Sequence, residues 1–306
     1  MKRFHRRDFI KAGAGLFGLG LLPKTIKSLA PMPPLSFSTL GCPDWSYDTI
    51  LDFAVVHGYQ GIEIRGIQRE MDLPASPLLN TVAKIAEAKR KADDKGIAII
   101  NLGASAQLHN LDPKLKADNI QEAKRFVDLA HRLQCPYIRV FPNKLPPGQD
   151  REATLQTIAA SLGEIASFAR GSHVRILMET HGDLVRTEDI LKVLGMANAD
   201  NIGLVWDIYN MWIVTGQSPV EVYTQLKPYI YHVHLKDGAT VNGQHKYQLM
   251  GRGNSPVFKA VDTLANASYP GYYSFEWEKL WHPEIDPPEL ALADFPDAMR
   301  RHFAAI

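Results

Sequence analysis

Residues 202–237 read IGLVWDIYNMWIVTGQSPVEVYTQLKPYIYHVHLKD, and this stretch decides the fold class. It contains two short apolar runs separated by a helix-like segment, and each run ends at a side chain that can bind a metal. These side chains are Asp207 in the first run and His234 in the second. Apolar runs of this kind are typical of parallel strands whose C-terminal ends line a site. The pattern predicts that other strands of the chain end in the same way.

Outward from this stretch, short β-branched or aromatic runs alternate with amphipathic helical runs. The predicted strands are 35–40, 61–65, 97–102, 137–141, 174–179, 202–207, 230–235 and 272–277. The predicted helices are 47–57, 79–95, 117–133, 153–169, 187–197, 219–226, 257–267 and 289–303. Eight β-then-α units in about 270 residues are what a (β/α)₈ barrel requires. A doubly wound open sheet is the alternative, but the first βα turn lacks a glycine-rich phosphate motif.

The composition is that of a globular protein with one large core. The chain has 306 residues, of which 45% are hydrophobic and 22% are charged. The formal net charge of +1 gives no electrostatic reason to expect a nucleic-acid partner. The two cysteines, Cys42 and Cys135, have no metal-ligand spacing. We expect two reduced, buried thiols, with a single bridge between them as the alternative.

The first thirty residues are predicted to be a twin-arginine-type signal peptide that directs export to the periplasm or another extracytoplasmic space. Residues 6–11 read RRDFIK, an apolar run follows at 12–22, and Ser28-Leu29-Ala30 forms a small-x-small site. The alternatives are an ordinary basic leader and an uncleaved anchor. The apolar run is too short for a stable membrane span in the mature form. The predicted organisation is a signal peptide at 1–30, a proline-rich linker at 31–34 and a single barrel domain at 35–306.

Four consecutive predicted strands end in metal-capable side chains, at the edge where barrel enzymes build their sites. They are Glu179 on the fifth strand, Asp207 on the sixth, His232 and His234 on the seventh, and Glu276 and Glu278 on the eighth. Inward polar groups without partners are costly, and a divalent cation would satisfy them. Three carboxylates and one imidazole suit Mn²⁺, Mg²⁺, Co²⁺ or Zn²⁺ without choosing among them. The alternative is a salt-bridged ring that uses Arg139, Arg175 or Lys236 instead of a metal.

Strand geometry limits how many residues of each closely spaced pair can bind the metal. Side chains two residues apart share a face but differ in depth by about 6.6 Å, so only one member of each pair can lie at the level of the metal. His232 and His234 form one such pair, and Glu276 and Glu278 form the other. His181 shares the face of Glu179 one step further out, so we expect it either to contact substrate or to lie on the surface.

The chain resembles the xylose isomerase-like barrel superfamily, in particular its sugar (phosphate) isomerase/epimerase group. The resemblance is carried by GYQGIE at 58–63, LMETH at 177–181, VWD at 205–207, HVHLKD at 232–237, MGRG at 250–253 and YPGYYSFE at 269–276. It implies that Glu179, Asp207, His234 and Glu276 bind one divalent metal ion. His232 and Glu278 are then expected to support these ligands from outside the metal's coordination sphere.

The resemblance also implies that Glu179 and Glu276 serve as catalytic acid and base. The ketose 3-epimerases of the group carry a histidine three residues after the aspartate, where this chain has Asn210. That departure argues against a free-ketose 3-epimerase. The group also includes dehydratases, lyases that act on keto-glycosides and DNA-repair endonucleases. The resemblance therefore constrains the fold and the metal more closely than the reaction.

These features predict an exported, divalent-metal-dependent isomerase or epimerase acting on a small-molecule sugar or keto-sugar. It would abstract an α-proton and form a metal-stabilised enediolate. The predicted substrate contacts are His181, Lys236, Arg252, Asn210, Arg139 and Trp45. A lyase or dehydratase acting on a keto-sugar or keto-glycoside is the first alternative, and a non-catalytic sugar-binding barrel is the second. The long connection at 238–254 is expected to be a lid or a plain surface excursion, and the sequence is compatible with a homo-oligomer.

Overall fold

The computed structural model describes residues 32–305, and the predicted signal peptide at 1–30 lies outside this range. The strands are β1 (Leu35–Ser38), β2 (Gly61–Ile64), β3 (Ala98–Gln107), β4 (Tyr137–Phe141), β5 (Arg175–Glu179), β6 (Ile202–Asp207), β7 (Ile230–Leu235), β8 (Asp237–Val241), β9 (Gln244–Gln248) and β10 (Tyr273–Phe275). The helices are α1 (Tyr47–His57), α2 (Val82–Asp94), α3 (Pro113–Leu133), α4 (Arg151–Phe168), α5 (Thr187–Ala197), α6 (Ile208–Thr215), α7 (Pro219–Leu226), α8 (Val257–Asn266) and α9 (Pro288–Ala305).

Eight of these strands close into a parallel barrel, in the order β1-β10-β7-β6-β5-β4-β3-β2. The predicted (β/α)₈ barrel is therefore confirmed, with β10 as its eighth strand. Strands β4, β6 and β7 and helices α1, α5 and α7 have the predicted bounds. Local signals explain this agreement at α1, where the Ser46 hydroxyl caps the first turn and Gly58 ends the helix with a φ of 75°.

β3 and α3 extend furthest beyond their predicted bounds. β3 continues to Gln107 instead of ending near residue 102, and its last residues are small and of weak strand propensity. α3 begins at Pro113 instead of residue 117, because the Asp112 carboxylate accepts a hydrogen bond from the Leu115 amide and the proline fits the first helical position. The first turn of α3 is mostly polar, so hydrophobic periodicity does not reveal it.

Residues 238–254 hold more structure than the sequence analysis predicted. β8 and β9 form an antiparallel hairpin outside the barrel, separate from the barrel sheet. Its turn is Asn242-Gly243, and both residues have positive φ values of 53° and 76°. Asn-Gly is the strongest short-range signal for a two-residue hairpin turn, so the sequence did carry the information.

Cys42 and Cys135 are buried and free, which confirms two separate thiols and excludes a bridge between them. Burial raises the pKa of the Cys135 thiol to about 12, as expected for an unreactive core cysteine. Among residues 32–305, no helix is both long enough and apolar enough to cross a membrane.

Candidate metal and substrate site

The structure brings the four predicted metal ligands together inside the barrel. Asp207 on β6 pairs in register with His234 on β7, which places the two residues at one level. The His234 Nδ1 atom lies 3.2 Å from Glu276 Oε1, 3.7 Å from Glu179 Oε1 and 3.9 Å from Asp207 Oδ2. One ligand atom from each of these four buried residues lies within 4.8 Å of the others. We call Glu179, Asp207, His234 and Glu276 the ligand ring.

The ligand ring has the polar atoms that a cation needs and too few partners for them. Glu179 Oε2, Asp207 Oδ2 and His234 Nδ1 are buried without a hydrogen-bond partner. Such atoms are costly to bury unless they are satisfied. Burial raises the pKa of Asp207 to about 7, and the nearby negative charges of Glu276 and Glu179 act in the same direction. A divalent cation held by these three carboxylates and one imidazole would relieve both penalties, so the residues fit a metal site.

Two buried, positively charged side chains, Arg139 and Lys236, contact the ligand ring from its sides. The Arg139 Nε atom lies 3.1 Å from Glu179 Oε2, and the Lys236 Nζ atom lies 2.8 Å from Asp207 Oδ2 and 2.7 Å from Glu276 Oε2. The contacts to Glu179 and Asp207 have ion-pair distances but not the direction of hydrogen bonds, so those two oxygens still lack hydrogen-bond partners. Part of the alternative salt-bridged ring is therefore present, but it does not satisfy the ligand atoms.

These charges keep two ring carboxyls ionised. Burial alone would raise the pKa of Glu276, but the charges of His234 and Lys236 hold that pKa well below its usual range. Burial acts in the same direction on Glu179, and the Arg139 guanidinium lowers the pKa of that carboxyl. The two carboxyls can therefore act as ligands or as bases at neutral pH.

A fourth acidic residue, Glu63 on β2, lies behind the ring and was not predicted as a site residue. Its side chain is fully buried, and its Oε2 atom accepts hydrogen bonds from His232 Nε2 at 3.0 Å and His234 Nε2 at 2.9 Å. Asn101 Nδ2 also donates to Oε2, and the Ser38 hydroxyl donates to Oε1. Because His234 uses Nε2 for Glu63, its Nδ1 atom faces the ring carboxylates.

Opposing effects set the pKa values of this network. Burial would raise the pKa of Glu63, but His234 and His232 hold it well below its usual range. Burial would lower the pKa of His234, but the carboxylates of Glu276 and Glu63 raise it well above its usual range. Burial prevails at His232 and lowers its pKa. Glu63, His232 and His234 are also close enough to hold a metal, and the imidazole of His234 connects this group to the ring.

Glu278 and Lys236 lie above the ring, together with a tyrosine of the hairpin. Glu278 Oε1 accepts hydrogen bonds from Lys236 Nζ at 2.5 Å and from the Tyr247 hydroxyl at 2.8 Å. Asp237 anchors the connection that carries Tyr247, because its carboxylate accepts bonds from the backbone amides of Gly238, Gly251 and Gly253 and from the Ser255 hydroxyl. Tyr247 was not predicted, since nothing in the loop sequence indicates how the hairpin folds back.

Two other predicted substrate contacts, His181 and Asn210, bind neighbouring residues of the strand ends. His181 Nδ1 contacts Asn143 Oδ1 at 2.9 Å, and its ring packs on Phe141, over which Arg139 is also stacked. The backbone N–H of Asn210 donates to Asp207 Oδ1, so the Asp207 carboxylate caps the first turn of α6. Their roles in substrate binding stay predictions.

Arg252 and Trp45 do not join the ring. Arg252 is exposed and pairs with Asp294 of α9 at 3.3 Å, because its loop turns back to the carboxylate of Asp237. Trp45 is half-buried and packs on Phe53 of α1, with ring centroids 4.8 Å apart. The structure therefore places Arg252 on the outer surface, away from the position that the sequence analysis gave it.

Comparison with known proteins gives the chain a family. A sequence model described as "Xylose isomerase-like TIM barrel" matches residues 51–302. The 3-dehydroshikimate dehydratase of Bacillus anthracis is 24% identical over 208 residues, which cover 66% of this chain and 70% of that protein. The 2-oxo-tetronate isomerase of Pectobacterium atrosepticum is 26% identical over 172 residues, which cover 52% of this chain and 63%, less than two thirds, of that protein.

Solved structures share the fold at lower identity. D-psicose 3-epimerase with D-tagatose from Clostridium cellulolyticum H10 superposes with a TM-score of 0.67 at 17% identity, covering 89% of this chain and 96% of that one. A protein described as IOLI with a binding zinc atom superposes with a TM-score of 0.69 at 19% identity, covering 89% and 97%. At these identities the superpositions establish the barrel and carry no assignment of activity.

Proposed function

Because the chain belongs to the xylose isomerase-like TIM barrel family, we propose that it is a divalent-metal-dependent sugar isomerase or epimerase. The observation that carries the proposal is the ligand ring, with buried carboxylate and imidazole atoms that lack partners. The family relatives whose names describe an isomerase and a dehydratase support an enzyme that acts on sugar-like hydroxy-carbonyl compounds. The IOLI structure, which is described with a binding zinc atom, shows that a barrel of this fold can carry a metal.

A metal bound in the ligand ring and the two glutamates of the ring would have different roles in the reaction. A bound divalent cation would polarise a substrate carbonyl and offset the negative charge that develops on its oxygen. Glu179 on β5 and Glu276 after β10 come from strands that β6 and β7 separate, so their carboxylates reach the site from different sides. Both are ionised and able to accept the α-proton. The opposite carboxyl group, once it has taken a proton from solvent, can deliver that proton to the other face and invert the carbon. Return of the abstracted proton to the neighbouring carbon would instead isomerise the sugar.

Lys236 is placed to assist the same step. Its ammonium group lies between Asp207, Glu276 and Glu278, and these carboxylates raise its pKa well above the usual value although burial alone would lower it. A permanently charged donor beside the proposed base can stabilise an oxyanion as it forms. We propose that Lys236 donates to that oxygen.

Elimination is the second candidate reaction. The same proton abstraction followed by loss of a β-leaving group would make the protein a lyase or dehydratase. The relative from Bacillus anthracis, whose name describes a dehydratase, favours this alternative. A non-catalytic sugar-binding barrel would keep the ring and show no proton abstraction.

Metal content and proton exchange test the proposal. The purified protein is expected to contain about one divalent metal ion per chain, and adding Mn²⁺, Co²⁺ or Zn²⁺ after chelation should raise its Tm. A screen of ketoses and 3-keto-glycosides in deuterated water should find a compound that gains deuterium at its α carbon. Absence of both metal and stabilisation would refute the proposal. Metal binding without any exchange would favour the sugar-binding alternative.

We also propose that the protein is exported by the twin-arginine route, which the motif at 6–11 supports. Replacing Arg6 and Arg7 together by lysine keeps the charge and is expected to hold most of the protein in the cytoplasm, as measured by cell fractionation and immunoblotting. Arg3→Lys, outside the motif, is the control and should be exported normally. Normal export of the double variant would exclude a twin-arginine signal.

A further inference from the structure

Two buried arginines lie on either side of Gly103 in β3. Arg65 follows β2 and is 4% exposed, while Arg139 belongs to β4 and is 1% exposed. Both guanidinium groups approach the ring of Phe141, with Cζ-to-centroid distances of 6.0 Å for Arg65 and 3.8 Å for Arg139. The pair adjoins the ligand ring, because Arg139 Nε lies 3.1 Å from Glu179 Oε2.

Glycine at position 103 makes this arrangement possible. A Cβ atom added there would lie 2.6 Å from the Cδ atom of Arg65 and 3.0 Å from the Nη2 atom of Arg139. The contact to Arg65 is shorter than real Cβ atoms make, so Arg65 would have to shift beside a larger residue, and the contact to Arg139 would be unusually tight. Residues 65, 103 and 139 therefore form one packed unit.

Among residues 32–305, the two arginines have one ion-paired carboxylate between them. Arg65 donates to the Gly103 carbonyl oxygen at 3.2 Å and to the Ser105 hydroxyl at 3.0 Å, and both acceptors are neutral. Within residues 32–305, Arg65 forms no ion pair with a carboxylate, and Arg139 has only Glu179. Glu179 belongs to the ligand ring as well, so two guanidinium groups share one carboxylate that has a second role. A buried cation without an anion is unfavourable.

We propose that Arg65 and Arg139 form a binding subsite for a carboxylate group, so that the substrate is a sugar acid or keto acid and not a neutral sugar. This inference rests on the proposed function and narrows its substrate class. The planar fork of a guanidinium matches a carboxylate, and Arg65 uses only two of its nitrogen atoms for the contacts described. One carboxylate brings one negative charge, which equals the excess left by two arginines and Glu179. A phosphate would bring nearly two negative charges.

A matched pair of probes tests the subsite. D-Erythronate and erythritol have the same carbon chain length, but only erythronate carries a carboxylate. Calorimetry on the Mn²⁺-loaded protein is expected to show erythronate binding at least about tenfold more tightly than erythritol. Arg65→Gln should abolish that preference while leaving the affinities for erythritol and for Mn²⁺ unchanged. A purely structural arginine would instead change all three affinities together.

Three results would overturn the proposal. They are equal binding of the two probes by the unaltered protein, an equal loss of both in Arg65→Gln, and tighter binding of inorganic phosphate than of erythronate. If Arg65→Gln does not fold, Arg65→Lys replaces it. That variant keeps the charge but loses the fork, so it should weaken erythronate binding by about threefold or more without changing erythritol binding.

The proposed function can fail separately from this subsite. In chelator-treated protein, erythronate should still bind more tightly than erythritol, because the two arginines do not depend on the metal. If that preference survives but Mn²⁺ does not bind, only the metal-dependent function is refuted. If Mn²⁺ binds and sugars exchange protons but erythronate has no preference, only the subsite is refuted.

Discussion

Glu276→Gln is expected to weaken Mn²⁺ binding by more than about tenfold and to slow α-proton exchange by about 10²–10⁴-fold. The substitution keeps the size of the side chain but removes a charge that faces His234 Nδ1 at 3.2 Å and Lys236 Nζ at 2.7 Å. An amide oxygen is a weaker metal ligand than a carboxylate oxygen, and an amide cannot accept the α-proton. Calorimetric titration with Mn²⁺ measures the first effect, and mass spectrometry of deuterium incorporation measures the second.

Glu278→Gln is the matched control for this variant. Glu278 follows Glu276 by two residues and contacts the same Lys236 ammonium, but it does not belong to the ligand ring. The Glu278→Gln variant is expected to bind Mn²⁺ with an affinity within about threefold of that of the unaltered protein. If both variants lost Mn²⁺ affinity equally, the ligand ring would not be the metal site. If Glu276→Gln saturated with Mn²⁺ exchanged protons at the normal rate, Glu276 would not be the base.

Glu63→Gln is expected to lower Mn²⁺ affinity by about 10–100-fold, although Glu63 lies behind the ring. Its carboxylate accepts a hydrogen bond from His234 Nε2 at 2.9 Å, which leaves Nδ1 facing the ring. A glutamine could donate its amide hydrogen to Nε2 instead. Metal binding needs the neutral form of the imidazole with its one proton on Nε2. In the variant that proton would lie on Nδ1 instead, where it would block metal binding. Calorimetric titration with Mn²⁺ measures the loss, and thermal unfolding of the metal-free protein verifies that the variant is folded.

Ser38→Ala separates this effect from a general loss of packing. The Ser38 hydroxyl donates to Glu63 Oε1, whereas the two histidines donate to Oε2. The substitution therefore perturbs the same carboxylate and leaves the histidine contacts in place, so the Mn²⁺ affinity should change by less than about threefold. Equal losses in the two variants would show that Glu63 acts through packing alone.

Whether a site residue could be predicted from the sequence depends on how far apart in the chain the interacting residues lie. Glu179, Asp207, His234 and Glu276 could be found because each ends an apolar strand, and parallel strands place their C-terminal ends at one edge. Alternation along β7 showed that His232 and His234 share a face but could not decide which lies at the level of the metal. The structure decides it: Nδ1 of His234 faces the carboxylates, and Nε2 of His232 faces Glu63.

The sequence by itself determined the eight β-then-α units and the residue types at the strand ends. These depend on periodicity and on signals within a few residues, such as the glycine after α1. Only the tertiary structure decided that Glu63 on β2 reaches His234 on β7, since β1 and β10 separate these strands and the two partners are 171 positions apart in sequence. The tertiary structure also decided that Arg65 and Arg139 pack around Gly103 and that Arg252 lies on the outer surface, away from the ligand ring. The physical reason is that these contacts form across the closed barrel or between its loops, where the alternation within any one strand carries no information.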